Sequence, residues 1–307
     1  MNARPVEPIR FRSRIERGTD GGDLIRRVLR RNGLPGEPVS AVVELDDPAT
    51  MPIGAAFVDA SGGRTERTRR GESAFHCLWC RDEQNAAVRI GPGGGGAPVH
   101  HAIAPGDTVY VPPGRSFAIG PGILGYEVWS TVEREQADTD ASCFPPTHGL
   151  ERFEGYNRRT VCAAGPDFAL ERWKVTQPLP LPVAPGRSLF VTNLVEPVAI
   201  VWRGGSDLID RAESRVLPPG LGTCTFFPDG LGYLLVSYVP DPLADVIGPL
   251  REAGHSDARI ATLGALSSAL TPVAPAGAGD DPAQVARWGK AEAGSAPGAR
   301  RRRDTGT

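Results

Sequence analysis

Alternation of apolar and polar positions, rather than helical spacing, organises the first 240 residues. Val39–Leu45 and residues 74–79, 86–90 and 106–119 place β-branched or aromatic side chains at alternate positions between Gly and Pro clusters, as half-buried strands do. A second series covers residues 168–175, 189–194, 198–202 and 234–239. The stretch from Gly106 through Gly122 reads as a strand, a Pro112-Pro113-Gly114 turn and a second extended segment. The prolines preset φ there, and Gly114 lets the chain double back. Gly222, Pro228, Gly230 and Tyr233 repeat the spacing of Gly106, Pro112, Gly114 and Phe117, at an offset of 116 residues (Gly106 to Gly222). Two copies of one β-rich unit follow as the economical reading.

Helical spacing is confined to the ends. Leu24, Ile25, Val28 and Leu29 predict a basic N-terminal helix, with Asp20 as its cap and Gly33 as its stop. Its arginines read as a solvated face in preference to a phosphate site. After Pro240, Leu243, Val246, Ile247 and Leu250 suggest one helix, and Ser256 could cap a second with Ile260, Leu263, Leu266 and Leu270. Packing against the β body is favoured over a DNA-binding pair, because the second helix offers only Arg259 to a groove. The glycine run at 91–96 reads as a hairpin loop, since no Lys-Ser/Thr and no helix follows it. The predicted organisation is an N-terminal helical or extended segment (1–38), a first β domain (39–130), a bridge (131–165), a second β domain (166–240), C-terminal helices (241–270) and a disordered tail (271–307), with arginines at 300–303.

Composition narrows the class. The 307 residues contain 38 Gly and 30 Pro, which favours many short strands and turns. A net charge of −2 gives no general attraction to nucleic acid or anionic membrane. Neither a signal peptide nor a membrane span is evident, and five cysteines make no even framework. A reduced, cytoplasmic protein is expected. Cys77-Leu78-Trp79-Cys80 is a CxxC without a second pair, and on a strand the two thiols face opposite sides, so small buried hydrophobes are the favoured reading.

The spacing Gly-x5-Pro-x-Gly-x2-His, here ending in Phe117 and Tyr233, resembles the second motif of the cupin jelly-roll family. Gly106 through Glu127 is similar to the "GDxxYxPxGxxHAIGxGxxxxE" strand of type I mannose-6-phosphate isomerases at nearly every position except the His. Residues 168–175 resemble the "YFxxER" strand that opens their C-terminal cupin, and Gly21-Gly22-Asp23-Leu24 with Gly36-Glu37 resemble remnants of their N-terminal motifs. The resemblance implies an all-β tandem double cupin with an N-terminal helix and short C-terminal helices. It also implies an aldose–ketose isomerase with one Zn²⁺ held by Gln, His, Glu and His. The "QVHP" segment has no counterpart, Ala74 stands for the Glu, and Phe117 stands for the last His. No metal or other cofactor is therefore expected at those positions.

Altered or lost zinc-dependent isomerase activity in sugar or sugar-phosphate metabolism follows from the resemblance. The alternative is a non-catalytic small-molecule-binding or regulatory module. Glu127 matches a pocket Glu of the family and is the candidate catalytic residue. Ala74, Phe117, Tyr126, Trp129 and Tyr233 are expected to line the pocket. Glu72 and His76 share a strand face and, with His100 or His101, could hold zinc or another divalent ion in a displaced site. The expected partner is a small molecule such as a sugar phosphate, with no membrane and no nucleic acid.

Overall fold

Among the described residues, twenty strands carry out the alternation. The computed structural model describes residues 6–31, 33–91, 97–134 and 144–270. The first ten strands are β1 (Arg14–Gly22), β2 (Val39–Leu45), β3 (Ile53–Asp59), β4 (Thr65–Thr68), β5 (Ser73–Cys80), β6 (Ala87–Ile90), β7 (Val99–Ala102), β8 (Thr108–Val111), β9 (Ser116–Ile119) and β10 (Ile123–Ser130). The next ten are β11 (Leu150–Glu154), β12 (Asn157–Ala164), β13 (Ala169–Val175), β14 (Leu179–Pro182), β15 (Leu189–Asn193), β16 (Val198–Trp202), β17 (Gly205–Ile209), β18 (Ser214–Leu217), β19 (Thr223–Pro228) and β20 (Gly232–Tyr238). They form two six-stranded sheets, β1-β2-β3-β10-β5-β8 and β11-β12-β13-β20-β15-β18, and two four-stranded sheets, β4-β9-β6-β7 and β14-β19-β16-β17. Adding ten to each strand number converts one half into the other. The predicted all-β tandem jelly rolls are present.

The repeat itself is registered differently from the sequence spacing. Pro112-Pro113-Gly114 follows β8, and its topological counterpart after β18 is Pro218-Pro219-Gly220, an offset of 106 residues (Gly114 to Gly220). Gly230 instead lies in the turn between β19 and β20. Gly106 pairs by the same offset with Ala212. Gly106 N–H donates to Cys77 O and Cys77 N–H to Asp107 O, both at 2.8 Å, while Ala212 N–H donates to Asn193 O at 2.8 Å and Asn193 N–H to Glu213 O at 3.0 Å. This close bonding requires positive φ, 94° at Gly106 and 57° at Ala212, although Ala has a Cβ that disfavours it. The second copy tolerates it because Arg31 Nη1 also holds the Ala212 carbonyl, at 2.5 Å.

The domain edges move outward from the sequence expectation. β1 pairs with β2, so the N-terminal segment is part of the first barrel. β11 and β12 pair with each other and with β13, so much of the expected bridge belongs to the second. The N-terminal helix α1 spans Leu24–Leu29. Asp23 rather than Asp20 precedes it, and the Leu24 N–H is satisfied by Asp59 Oδ2 at 2.7 Å. It ends at Arg30 in left-handed geometry, φ 52°. A π-helical turn (Pro242–Ile247), α2 (Gly248–Glu252), α3 (Asp257–Ile260) and α4 (Ser267–Leu270) complete the described chain. Val246, Ile247, Leu250, Ile260 and Leu263 of this segment are buried in the second barrel's core. The glycine run beyond Gly91 and the tail from 271 lie outside the described residues.

One apolar cluster joins the halves. Phe57, Ala74, Tyr110, Tyr126 and Val128 from the first barrel pack with Cys162, Phe168, Leu170, Phe190 and Leu235 from the second. The outer faces of the two six-stranded sheets are thus covered by each other. Separate clusters fill the two interiors. Both faces of the central strands β3 and β10 are dry, with every residue of each buried.

Candidate functional site

Glu127 and Trp129 point into the first barrel from β10. Arg67 and Arg69 approach them from β4 and the residue just beyond it. Glu127 is fully buried and accepts hydrogen bonds from Arg67 Nε (2.9 Å), Arg69 Nε (2.6 Å) and Arg69 Nη2 (2.8 Å). Arg67 Nη1 continues to Glu16 Oε2 at 3.1 Å, and the Arg69 guanidinium lies 3.7 Å from the Trp129 ring centroid. Burial acts to raise the Glu127 pKa, but the two guanidinium groups outweigh it and hold the carboxyl below its ordinary value. A carboxylate so engaged is a structural counter-ion with little capacity to take up a substrate proton. Sequence reading missed Arg67 and Arg69. Their i, i+2 spacing on an extended segment was the available signal.

Phe117 also faces this interior, in a cluster with Val88, Ile90, Val109 and Ile119. Its ring centroid is 6.2 Å from that of Phe75. The inward residues of β5 are Phe75 and Cys77. Cys77, Cys80, Cys162 and Cys224 are all free and buried, and burial pushes the Cys77 thiol up to about 12.

Glu72, Ala74 and His76 do share a face, as alternation requires, but it is the face covered by the second barrel. Ala74 and Tyr126 are interface residues, not pocket lining. Tyr110 Oη donates to Glu72 Oε2 at 2.9 Å, and burial, reinforced by Asp167, pushes the Glu72 carboxyl up to about 7. A Cβ on Gly165 would come within 1.7 Å of Glu72 Oε2, so the second barrel's backbone closes directly over this carboxyl. His76 Nδ1 is 2.8 Å from Thr108 Oγ1. His101 is the buried member of its pair, opposite Val88 in the four-stranded sheet, and His100 is exposed. Among the described residues no group of three or more His, Cys, Asp or Glu could hold a metal ion. The residues present do not fit the zinc that the resemblance implies, nor the displaced site. Tyr233 is half-buried and outside the second barrel's core cluster.

The position of His76 has a measurable consequence. Burial, with Arg172 nearby, lowers its pKa from 6.5 to about 3. The unfolded chain therefore binds the proton first. The His76 contribution to stability is in place above pH 6.5 and is lost as pH falls toward 3, at up to about 1.4 kcal/mol per pH unit. Urea midpoints measured from pH 7 to pH 5 are expected to fall less for His76→Gln than for the native chain. Parallel declines would show that this imidazole is not buried neutral.

The second barrel holds an open cavity of about 440 Å³ at its mouth. Arg152 and Glu154 from β11, Arg159 from β12, Glu171 and Trp173 from β13, and Tyr238 from β20 form one side. Pro180 through Pro182, Arg187 and the helical residues Ala244, Asp245 and Pro249 close the other. Glu171 is fully buried and accepts from Trp173 Nε1 (2.5 Å), Tyr238 Oη (2.7 Å) and Arg152 Nη2 (3.1 Å). Arg159 Nη2 donates to Glu154 at 2.8 Å, and its guanidinium lies 4.2 Å from the Trp173 ring centroid. Arg187 pairs with Asp245 at 2.7 Å. None of these residues was a sequence candidate. Glu171 and Trp173 lay within the segment matched to "YFxxER", but which of its residues face inward was not assigned.

Comparison with solved structures agrees with the fold. The mannose 6-phosphate isomerase of Bacillus subtilis superposes with a TM-score of 0.60 at 13% identity, over 75% of this chain and 99% of that one. The fold is a tandem double cupin. A protein assigned as a mannosephosphate isomerase from Archaeoglobus fulgidus gives a TM-score of 0.57 at 13% identity, over 76% of this chain and 98% of that one. The oxalate decarboxylase of Lactobacillus farciminis, solved with formate, gives 0.50 at 10% identity, over 65% and 80%. No protein-family profile and no curated sequence matches the chain. The likeness to mannose-6-phosphate isomerases is thus one of fold. No helix among the described residues is long and apolar enough to cross a membrane.

Proposed function

We propose that this double cupin is a mannose-6-phosphate isomerase-like protein that does not perform zinc-dependent aldose–ketose isomerisation and serves as a small-molecule-binding module. The carrying observation is Phe117. It stands inside the first barrel where the cupin motif places its ligating His, in a dry cluster with Phe75. Neither ring can ligate zinc, and the neighbouring carboxylate, Glu127, is already held by two arginines. The open, polar cavity of the second barrel supports a binding role, because it combines aromatic rings with convergent charged groups.

The test is elemental analysis of protein purified without a histidine tag, with a coupled assay for interconversion of mannose 6-phosphate and fructose 6-phosphate. Substoichiometric metal and no turnover above the buffer rate, even after reconstitution with zinc, is the expected result. About one zinc per chain together with turnover would overturn the proposal.

A further inference from the structure

The β11–β12 hairpin places Arg152 and Arg159 directly opposite each other in an antiparallel ladder. Like charges in that relation repel, and both guanidinium groups border the same cavity. Among the described residues each has one carboxylate partner, Glu171 for Arg152 and Glu154 for Arg159. The buried Nε–H of each finds no hydrogen-bond partner among the described residues. Arg159 as a whole is 8% exposed. A buried donor left unpaired is costly, and a charged one more so. Glu171 already accepts three hydrogen bonds, so it is poorly placed to serve both free donors. Burial holds the Arg159 pKa below its ordinary value, Glu171 and Glu154 only partly counter this, and the Arg152 charge adds to the deficit.

The first barrel shows how such a deficit is closed from within. Its two interior arginines, Arg67 and Arg69, direct both Nε atoms onto Glu127. The matching position in the second barrel, in register with Glu171 as Glu127 is with Ala56, is Val236. The second barrel therefore lacks a carboxylate at the place where the first supplies one, and keeps an open cavity beside its arginines.

We propose that this cavity binds a small molecule through an oxyanion, a carboxylate or phosphate group, received by the Nε–H groups of Arg152 and Arg159. The inference rests on the reading of the chain as a binding module and names the chemistry of its ligand. An oxyanion accepts from both arginines with charge-assisted bonds and relieves their mutual repulsion. Arg187, on the opposite wall beside Tyr238 with 5.6 Å between guanidinium and ring centroid, bounds the rest of the molecule. A volume of about 440 Å³ suits a metabolite-sized ligand.

Isothermal titration calorimetry with inorganic phosphate, succinate, mannose 6-phosphate and mannose tests the inference. Saturable binding of an anionic probe at one site per chain is expected, weakened at least tenfold by Arg159→Gln and by Arg152→Gln. Succinate against phosphate separates the carboxylate from the phosphate source. Should either variant lose its native circular dichroism, hydrogen exchange of the unmodified protein decides. Slowed exchange concentrated in residues 150–164 under saturating phosphate or succinate is expected, and slowing elsewhere alone overturns the site.

Absence of saturable binding by every anionic probe, or affinities unchanged in both folded variants, also overturns it. Mannose binding as tightly as mannose 6-phosphate overturns the oxyanion while leaving a small-molecule module in place. The zinc and isomerase assays test the underlying reading separately.

Discussion

Glu127→Ala is expected to destabilise the protein by about 3–5 kcal/mol, the range for removing one partner of a buried ion pair. The carboxylate is fully buried and is the shared acceptor of Arg67 and Arg69. Its loss leaves two cations in a low-dielectric interior, and among the described residues only Arg67 has another carboxylate, Glu16, to turn to. For a body of this size that corresponds to a melting temperature roughly 10 °C lower. Glu127→Gln retains acceptor oxygen but not charge and should fall between. Urea unfolding of the three proteins checks the order. A Glu127→Ala protein as stable as the native chain, but altered in ligand turnover, would restore Glu127 to a chemical role.

Tyr126→Ala should cost about as much, roughly 3–5 kcal/mol, as large-to-small aromatic truncations in cores do. The Tyr126 ring is wholly buried, edge-on to Phe57 at 5.2 Å. Its hydroxyl meets Thr192 Oγ1 of the other barrel at 2.8 Å, and the chain continues through Ser214 (2.9 Å) to Glu44 (3.0 Å) and Arg31 (2.5 Å). Deleting the ring opens a cavity between the barrels and cuts this network at its first link. Tyr126→Phe keeps the packing and should cost about 1 kcal/mol, the net value of one hydrogen bond. Denaturant midpoints and thermal melts read both. Were Tyr126 a pocket residue, alanine would weaken ligand binding with little change in stability.

Much of the architecture was legible in the chain. Alternation located the strands, and Pro112-Pro113-Gly114 marked a turn whose Gly114 does adopt positive φ, 70°. The duplication was legible too, but its register was not. Gly and Pro recur in several turns of each barrel, so a match at 116 residues arose between turns that are not equivalent. The true counterpart of Gly106 is Ala212, whose φ of 57° is maintained by bonds to Asn193 and Arg31 and leaves no glycine in the sequence to read. The C-terminal helices were foreshadowed by Leu243, Val246, Ile247 and Leu250, and a core role for them holds at Val246, Ile247 and Leu250.

The candidate site was legible as residue types but not as places. Alternation states that Glu72, Ala74 and His76 share one face, and Phe75 and Cys77 the other. It does not state which face is the barrel interior, because a period of two is symmetric under exchange of faces. Usually a polar face breaks that symmetry. Here both faces of β5 and β10 are buried, one in the barrel and one against its partner, so composition carries no sign of direction.

The sequence alone therefore determined the strand-rich class, the duplication and the absence of the ligating His at Phe117. Those properties depend on residue identity and local backbone preference. Only the tertiary structure decided that Glu127 is locked by Arg67 and Arg69, that His76 faces the other barrel, and that Arg152 and Arg159 converge on a cavity. Those depend on which strands pair and which faces meet, and such long-range choices leave no fixed spacing in the chain.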